Sequence, residues 1–405
     1  MNILMVLSTK KYPPDRRVER EAHALAAAGH NVYLIARRGP GQMKVEIVEG
    51  VHVIRTPLPF QKIKPIADTI YFYAQRYWIY FAILRACRRY GIQALHVHDL
   101  PYAFAAVLAG RRLKIPVVFD MHEHYVEVLE DSFNTSVYRK YKPFSAPLLW
   151  LMTQEEKYAC RHSTKIIVIG NEHIDRLIPL GARKEQFVEV ANTDDPEFLA
   201  SIPIQEEIVR QYQDSTKYTL LYIGGFNPFR GLDTAIKAMP IVLKKIPHAR
   251  LLLVGDGESR RELEKLTKDL HLQDHIIFPG FVPFQHVPTY IRISDVCLLP
   301  LWVTAHIETG ITNKFFQYMI FGKPMIVSNA RPMVRVINET GCGLLFPDRN
   351  PQSLAEKIIE LQDREKQKIL GQNGYRAARE KYNWQTTVRS LLSLYDELTE
   401  LKKKG

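Results

Sequence analysis

The sequence has little cysteine and no long apolar run. Its four cysteines are far apart, at Cys87, Cys160, Cys297 and Cys342. Without Cys-x-x-Cys spacing they predict neither a zinc motif nor a disulfide framework, and we expect reduced core thiols of a cytosolic protein. No stretch reaches the roughly 18 apolar residues of a spanning helix, because the nearest candidate, 70–84, contains Gln75 and Arg76.

Other classes of protein are excluded in the same way. Segment 2–8 is too short for a signal-peptide core and is followed by Lys10 and Lys11, so we interpret it as a buried strand. With 21 glycines, 24 prolines and 46% hydrophobic residues, the chain is neither fibrous nor disordered. We therefore expect a folded protein located in the cytoplasm, either free or peripheral on the cytoplasmic face of the membrane.

Positive charge is abundant. The 405 residues include 55 Lys and Arg against 43 Asp and Glu, a formal charge of +12. Such an excess favours a polyanionic partner: nucleic acid, an acidic membrane surface or a phosphorylated substrate. Residues 1–120 hold 18 basic and 8 acidic residues, interleaved with aromatic residues as in a folded surface.

Short apolar runs alternate with helical periodicity in two blocks, separated by a polar segment at 192–217. Strands are predicted at 3–7, 31–36, 51–55, 94–98, 117–120 and 165–169, and then at 218–223, 250–254, 275–278, 296–300, 324–328 and 343–346. This alternation is typical of doubly wound parallel sheets. It predicts domains at 1–200 and 201–383 with a binding cleft between them, and a helix at about 384–405 is a candidate to pack back on the first domain.

Two glycine turns follow strands of the second block. Their glycines are Gly224 and Gly225 in the first turn, and Gly255 and Gly257 in the second. Glycine lets backbone N–H groups approach a phosphate, the helix predicted next adds a partial positive charge, and Arg230 supplies a permanent cation. Each turn alone is equally typical of an ordinary strand–turn–helix junction.

A third segment, 308–324, predicts a helix whose start suits an anion. Thr312 or Asn313 would cap it, Lys314 lies in its first turn and Gln317 in its interior. Together with the first glycine turn, two helix N-termini would then hold one diphosphate.

These segments, in this order and spacing, resemble the donor-binding domain of retaining glycosyltransferases of family 4, the group 1 glycosyl transferases of surface-polysaccharide synthesis. The resemblance extends to 278–283, with Phe281 and Val282, and to 14–22, 96–100 and 120–123 in the first domain. It covers essentially the whole chain and depends on the ordered set of motifs. It implies an α/β architecture of the GT-B type, with two Rossmann-like domains facing across a cleft.

The resemblance implies transfer of a sugar from a nucleotide diphosphate donor, with a UDP-sugar expected, without a metal or other cofactor. Arg230 stands where the family has a lysine that contacts the diphosphate. Gly225 stands where the family has an arginine, and the loss of that cation would lower the rate by about 10²–10³. Lys10 or Arg17 are candidates to replace it.

The family also has two glutamates, eight residues apart. Counting back from 322–324, the second position, which binds the ribose in the family, is Gln317. The first glutamate position then falls at Thr309, one residue after Glu308. We assume a shift of one residue and assign Glu308 to the transferred sugar. The implied catalytic residues are His122, Arg230 and Glu308. The implied donor-binding residues are Gly224, Gly225, Arg230, Gly255, Gly257, Phe281, Val282, Thr312, Asn313, Lys314 and Gln317.

Histidines crowd two predicted strand ends in the first domain. They are His96, His98, His122 and His124. Alternate strand residues point the same way, so strand geometry explains the pattern without a metal site. His122 is the candidate cleft residue beside the transferred sugar, or else a hydrogen-bonded structural histidine.

A basic, aromatic segment covers residues 60–90. Seven of the eleven residues in 71–81 are aromatic. Two interpretations stay open: a helix in an anionic membrane interface, or an amphipathic helix packed on the first sheet. A second such stretch, 138–144 with Trp150 nearby, favours the membrane and hence a lipid-linked saccharide rather than a free saccharide as acceptor. No nucleic-acid-binding module is recognised, so nucleic acid is not an expected partner.

The departures at Gly225 and Gln317 leave two alternatives. One is a non-catalytic or partner-dependent protein that binds nucleotide sugars. The other is a GT-B nucleotide-sugar epimerase.

Overall fold

The computed structural model describes residues 1–7, 12–13, 15–39, 41–57, 66–135, 139, 142–143 and 145–404, without the side chains of 66–74, 135 and 403–404. The chain divides into two units. One contains residues 1–191 and 387–405, and the other residues 192–386.

The first unit is built on an eight-stranded sheet. Its strands are β1 (Asn2–Val6), β2 (Asn31–Arg37), β3 (Val45–Val48), β4 (Val51–Thr56), β5 (Ala94–His98), β6 (Val117–Met121), β7 (Lys165–Val168) and β8 (Phe187–Glu189). Their order is β3-β4-β2-β1-β5-β6-β7-β8, parallel throughout except for the β3–β4 pair. β5 and β6 are buried along their whole length. Polar side chains at their carboxyl ends are therefore held inside the protein.

The second unit is built on a six-stranded parallel sheet. Its strands are β9 (Tyr218–Ile223), β10 (Ala249–Val254), β11 (Ile276–Gly280), β12 (Val296–Leu299), β13 (Met325–Ser328) and β14 (Gly343–Phe346). In the order β11-β10-β9-β12-β13-β14 the chain reverses its direction of progress between β9 and β12. Ligands of open α/β sheets bind outside the carboxyl ends of the strands at such a switch point.

Helices connect the strands. They are α1 (Arg16–Ala27), α2 (Ile66–Tyr90), α3 (Leu100–Leu113), α4 (Tyr125–Thr135), α5 (Ser145–His162), α6 (Glu172–Leu177), α7 (Pro196–Ser201), α8 (Glu206–Tyr212), α9 (Leu232–Leu243), α10 (Arg260–Asp269), α11 (Val287–Ile293), α12 (Asn313–Ile320), α13 (Arg331–Thr340), α14 (Pro351–Glu360), α15 (Arg364–Glu380) and α16 (Trp384–Lys404). Among the described residues, no helix is both long and apolar enough to cross a membrane.

The last helix, α16, completes the first unit. Its apolar residues at i, i+3, i+4 and i+7 spacing are buried, namely Leu391, Leu394, Tyr395 and Leu398. The Tyr395 ring lies 5.7 Å from that of His30, and its hydroxyl is 2.9 Å from Nδ1 of His96 on β5. The C-terminal residues are therefore part of the core around β5.

Candidate functional site

The glycine turn after β9 allows a close approach of three segments. Gly224 has a φ of 145°, and a Cβ there would lie 1.9 Å from Cε of Lys314. Gly255, after β10, has a φ of 138°, and its Cβ would lie 1.9 Å from the carbonyl oxygen of Gly224. Gly257 similarly leaves room for the backbone of Phe226. Only glycine fits at these positions, so the sequence motif is explained by packing as well as by ligand access.

Arg230 lies at the end of a 3₁₀ turn just before α9. Gly231, with a φ of 64°, separates it from the helix. The guanidinium carbon of Arg230 is 5.0 Å from the centroid of the Phe229 ring, and its buried Nε has no hydrogen-bond partner among the described residues. An arginine supported by an aromatic face and not paired with a carboxylate remains able to bind an incoming anion.

Lys314 lies in the first turn of α12, where Thr312 is the N-cap residue. The Thr312 hydroxyl makes no capping hydrogen bond, and its Oγ1 has no partner in the described part of the chain. The ammonium of Lys314 is 5.9 Å from the centroid of the Tyr222 ring. Burial, reinforced by the charge of Arg230, lowers the pKa of Lys314 to about 7.

Arg230 and Lys314 lie in the same part of the second unit, near enough for the charge of Arg230 to lower the pKa of Lys314. Two cations repel each other at the switch point between β9 and β12, and the start of α12 contributes free N–H groups. A diphosphate would relieve the repulsion and accept those hydrogen bonds. The structure thus brings Gly224, Arg230 and Lys314 together, and their role in binding a diphosphate stays a prediction.

Phe281 follows β11 and presents a side chain that is 80% exposed. Val282, next to it, packs against the core of the second unit. An exposed ring on an anchored segment is suited to stack on a planar base. The predicted donor-binding role of this pair is compatible with its position.

Glu308 contacts the start of α13. Its Oε2 accepts hydrogen bonds from the backbone N–H (3.1 Å) and Nε (2.8 Å) of Arg331. Thr309, the residue that stands at the family's first glutamate position, is buried and donates from its hydroxyl to the carbonyl of His306 at 2.7 Å. Of these two neighbours, Glu308 is therefore the one that offers a carboxylate.

Gln317 has a partner that the sequence did not predict. Its Nε2 donates to Oδ2 of buried Asp194 at 2.7 Å, and the carbonyl of Asp194 accepts from the backbone N–H of Trp384. The amide oxygen of Gln317 accepts no hydrogen bond from a described residue, which leaves that oxygen for a ligand hydroxyl. Asp195, next to Asp194, caps α7 by accepting from the N–H groups of two residues in that helix.

In the first unit, His122 belongs to a buried network at the carboxyl ends of β5 and β6. Oδ2 of Asp120 is 2.7 Å from Nε2 of His122 and 3.0 Å from Nδ1 of His98. The two ring nitrogens are 3.2 Å apart, and both are best assigned as donors to the shared oxygen. Nδ1 of His122 is 3.6 Å from Oδ2 of Asp99.

The carboxylates keep His122 charged. Burial alone would lower the pKa of His122, but Asp120 and Asp99 raise it to about 9. Although burial opposes ionisation, Arg17 and His122 hold the pKa of Asp120 well below its usual range. Burial, with the neighbouring His96, lowers the pKa of His98 to about 3. His122 is thus a cation at neutral pH, and His98 is neutral.

The same network contains a group of possible metal ligands. Atoms of Glu21, His96, His98 and Asp120 lie within 4.8 Å of one another. However, the guanidinium of Arg17 is 2.9 Å from Asp120 and 3.0 Å from Glu21, so both carboxylates already face a cation. His124, which the sequence grouped with these histidines, is not in this set.

The structure corrects one expectation about the diphosphate. Arg17 is a predicted substitute for the cation missing at Gly225, but it is buried and bound to Asp120, Glu21 and the carbonyl of Val190. It is therefore not available to a donor. Lys10, the other candidate, lies outside the described residues.

Two family models match adjacent parts of the chain. The model described as "Glycosyl transferase 4-like domain" matches residues 14–193, and the model described as "Glycosyl transferases group 1" matches residues 204–377. The two matches correspond closely to the two sheets of the structure.

Curated relatives are distant. A Mycobacterium tuberculosis protein named GDP-mannose-dependent alpha-(1-6)-phosphatidylinositol monomannoside mannosyltransferase is 25% identical over 189 residues, 46% of this chain and 49% of that protein. The chain thus spans about half the length of this relative.

Solved structures agree over the whole chain. The sucrose-phosphate synthase of Thermosynechococcus elongatus has a TM-score of 0.80 at 20% identity, covering 99% of this chain and 100% of that one. Anabaena HepE, solved in complex with UDP, has a TM-score of 0.71 at 14% identity, covering 98% and 100%. The fold is GT-B, with two α/β domains on parallel sheets.

Proposed function

The chain belongs to the group 1 family of glycosyl transferases, and on this premise we propose that it transfers a sugar from a nucleotide diphosphate donor to an acceptor, with retention of anomeric configuration. One observation carries the proposal. Arg230 and Lys314 are cations without a carboxylate partner among the described residues, and they meet at the switch point of a parallel sheet beside the start of α12.

The proposed chemistry depends on charge that develops on the leaving diphosphate. As the glycosidic bond breaks, negative charge moves onto the phosphate oxygens. Arg230, protonated Lys314 and the N–H groups of α12 are fixed before the reaction, so they stabilise that charge without reorganisation. Each such contact typically contributes about 10²–10³ in rate. Two cations and a helix N-terminus supply this stabilisation without requiring a bound metal.

Roles for the other site residues follow from their chemistry. We propose that His122, held as an imidazolium by Asp120, donates a hydrogen bond to the transferred sugar. Glu308, oriented by Arg331, is proposed to accept one from a sugar hydroxyl. For Gln317, the remaining amide oxygen is proposed to accept from the ribose.

The proposed donor is a UDP-sugar. HepE, a structural relative, is named as a complex with UDP, whereas the mycobacterial relative is named as GDP-mannose-dependent. Phe281 offers a stacking surface to either base. A thermal-shift panel of UDP- and GDP-sugars decides between them, and stabilisation by GDP-sugars alone would refute the UDP assignment.

The proposed acceptor is a lipid-linked saccharide at an anionic membrane surface on the cytoplasmic side. The mycobacterial relative is named for a phosphatidylinositol mannoside acceptor. In this chain Tyr77, Trp78 and Phe81 are 75%, 48% and 64% exposed, and Trp150 is 65% exposed. Of the two interpretations of this segment, exposure of these rings favours the membrane interface. The side chains of 71–73 and most of the stretch 138–144 lie outside the described residues.

Substitution of Arg230 tests the donor assignment. Arg230→Ala is expected to lower kcat at least a hundredfold with UDP-sugar donors, because a transition-state contact is removed. Arg261→Ala is the matched control, since Arg261 is an exposed arginine of the same unit. Full activity in Arg230→Ala would show that the diphosphate does not bind here.

The Gln317–Asp194 hydrogen bond favours a second candidate: a protein that binds nucleotide sugars without transferring them. An amide already engaged on its nitrogen grips a ribose less firmly than a carboxylate. Donor binding without hydrolysis or transfer, over a panel of acceptors, would support this candidate. An isomerised sugar released without any acceptor would instead indicate an epimerase.

A further inference from the structure

A pocket of about 380 Å³ lies between the β3–β4 edge of the first sheet and helix α2. Its walls are largely apolar and include Val45, Ile54, Trp78 and Ala82. Its volume is within the range of about 300–1,000 Å³ that is typical of ligand pockets. The pocket is therefore large enough for part of a lipid.

The rim of this pocket is basic. Arg85 and Arg89 line it from α2, and Arg38 and Lys44 from the sheet side. None of the four pairs with a carboxylate among the described residues. The acid beside them, Glu46, is already bound to Arg55. The rim thus carries uncompensated positive charge next to apolar walls.

Exposed apolar side chains lie on, or next to, the elements that form the pocket. On α2, Tyr77, Trp78 and Phe81 are exposed, and near β3 the exposed fractions of Met43 and Ile47 are 62% and 66%. Apolar exposure on this scale marks a surface that meets a partner. A soluble phosphate would bind the arginines and leave these apolar side chains in water, whereas a bilayer would contact both the arginines and the apolar side chains.

The spacing along α2 separates the two kinds of side chain. Trp78, Phe81, Arg85 and Arg89 follow one another at three or four residues, so they share one face of the helix. At 1.5 Å per residue, Trp78 and Arg89 are about 16 Å apart. A phospholipid aligned with that face of the helix would place its phosphate at the arginines and an acyl chain at the aromatic rings.

We propose that this pocket binds a single anionic phospholipid of a bilayer, with its phosphate on Arg85 and Arg89 and an acyl chain against Trp78 and Ala82. This lipid site rests on the proposed function, because it supposes that the acceptor lies at the membrane, and it specifies how the protein would bind there. It differs from diffuse attraction, in which every exposed cation of the surface would contribute alike.

The test measures binding of the full chain to vesicles, without donor or acceptor. The vesicles are of phosphatidylcholine alone or with phosphatidylglycerol as the minor lipid. Arg85→Ala/Arg89→Ala is compared with Arg111→Ala/Arg161→Ala, which removes the same charge from exposed arginines of the first unit. These two arginines line neither this pocket nor the adjoining one that Arg85 and Arg89 also line. The pocket variant is expected to lose at least tenfold more affinity for the anionic vesicles than the control. Equal losses would overturn the proposal in favour of diffuse attraction.

A second variant fills the pocket without changing charge. Ala82→Trp is expected to lower phosphatidylglycerol binding at least tenfold, with its thermal unfolding measured in parallel; unchanged binding by the folded variant would overturn the proposal. If Ala82→Trp does not fold, the paired arginine comparison decides. Binding of glycerol phosphate as tight as that of the anionic vesicles, and unchanged in Ala82→Trp, would show a soluble-phosphate site instead. Since binding is read without catalysis, vesicle binding with no sugar transfer refutes only the proposed function, and transfer without vesicle binding refutes only the pocket.

Discussion

Donor affinity is predicted to depend on the protonation of Lys314. In the unliganded protein, burial and Arg230 lower the pKa of Lys314 to about 7, so about half of the molecules carry the charge at that pH. A bound diphosphate stabilises the ammonium and returns its pKa toward the ordinary value of about 10.4. Binding therefore takes up a proton wherever the free protein has lost one.

The magnitude follows from linkage. The charged fraction of Lys314 falls from about one half at pH 7 to about one hundredth at pH 9, so donor affinity is expected to fall about fiftyfold, or about 2.3 kcal/mol. Below pH 6 the affinity should be nearly constant because Lys314 is already charged. Neither the sugar-linked diphosphate nor the base of the donor titrates between pH 6 and pH 8, so the dependence of donor affinity on pH in that range belongs to the protein.

Isothermal titration calorimetry in two buffers of different ionisation enthalpy measures the proton uptake directly. We expect about half a proton per donor at pH 7 and nearly one at pH 8.5. Lys314→Arg is the matched control, because arginine stays charged. The donor affinity of this variant should not change between pH 6 and pH 8, below the pKa of about 9 of His122. Equal wild-type affinity at pH 6 and pH 9, with no proton uptake, would refute the reasoning.

The lowered pKa of Lys314 also affects the stability of the ligand-free protein, and proton linkage fixes the direction of that effect. Because Lys314 has a lower pKa folded than unfolded, the unfolded chain binds more protons between pH 7 and about pH 10. The free energy of unfolding of the ligand-free protein therefore gains a rising contribution across that window. Lys314→Met should remove this contribution in urea titrations.

Three further substitutions test other contacts. Gly225→Arg adds a cation beside the proposed diphosphate site and should raise donor affinity, measured by calorimetry, about tenfold (about 1.4 kcal/mol). The side chain fits because Gly225 is exposed and a Cβ there meets only ordinary contacts. Weaker binding at an unchanged Tm would contradict this prediction. Gly231→Ala should destabilise the protein by about 1–3 kcal/mol, because its Cβ would lie 1.8 Å from a carbonyl oxygen. Gly341 has the same φ of 64° without such a contact, so Gly341→Ala should lower the Tm less. Equal losses of Tm would show that backbone strain alone matters. Tyr395→Phe should cost about 1–3 kcal/mol in urea unfolding by leaving Nδ1 of His96 without its partner, and an unchanged midpoint would refute that link.

Much of the fold is predictable because its signals are local. Several buried strands of both sheets are nearly continuous apolar runs, so β1 and β12 are visible in the sequence. Gly224 and Gly255 are visible for a similar reason, since a positive φ at the end of a strand favours glycine. The strands not predicted, β3 and β8, are only four and three residues long and have no fully buried residue, so their apolar residues form runs too short to detect.

The rest of the site depends on contacts between distant residues. Gln317 and Asp194 are 123 residues apart, and neither sits in a pattern that points to the other. Arg17 looked like a free surface cation in the sequence because nothing local shows that it meets Asp120, 103 residues later. A charged side chain near a motif therefore predicts a role only when its partners are known.

The contribution of α16 to the first unit also affects the order of folding. His96 and Tyr395 are 299 residues apart, and residues 192–386 of the second unit lie between their segments. At about 5–20 residues per second, synthesis of residues 192–405 takes about 10–40 s. Until α16 is synthesised, β5 and its buried histidines lack the helix that packs on them. The second unit has its whole sheet before that point, because β14 precedes α16 in the chain. The second unit is thus expected to fold first on the ribosome, and a stall in translation before α16 would leave the first unit open along one face.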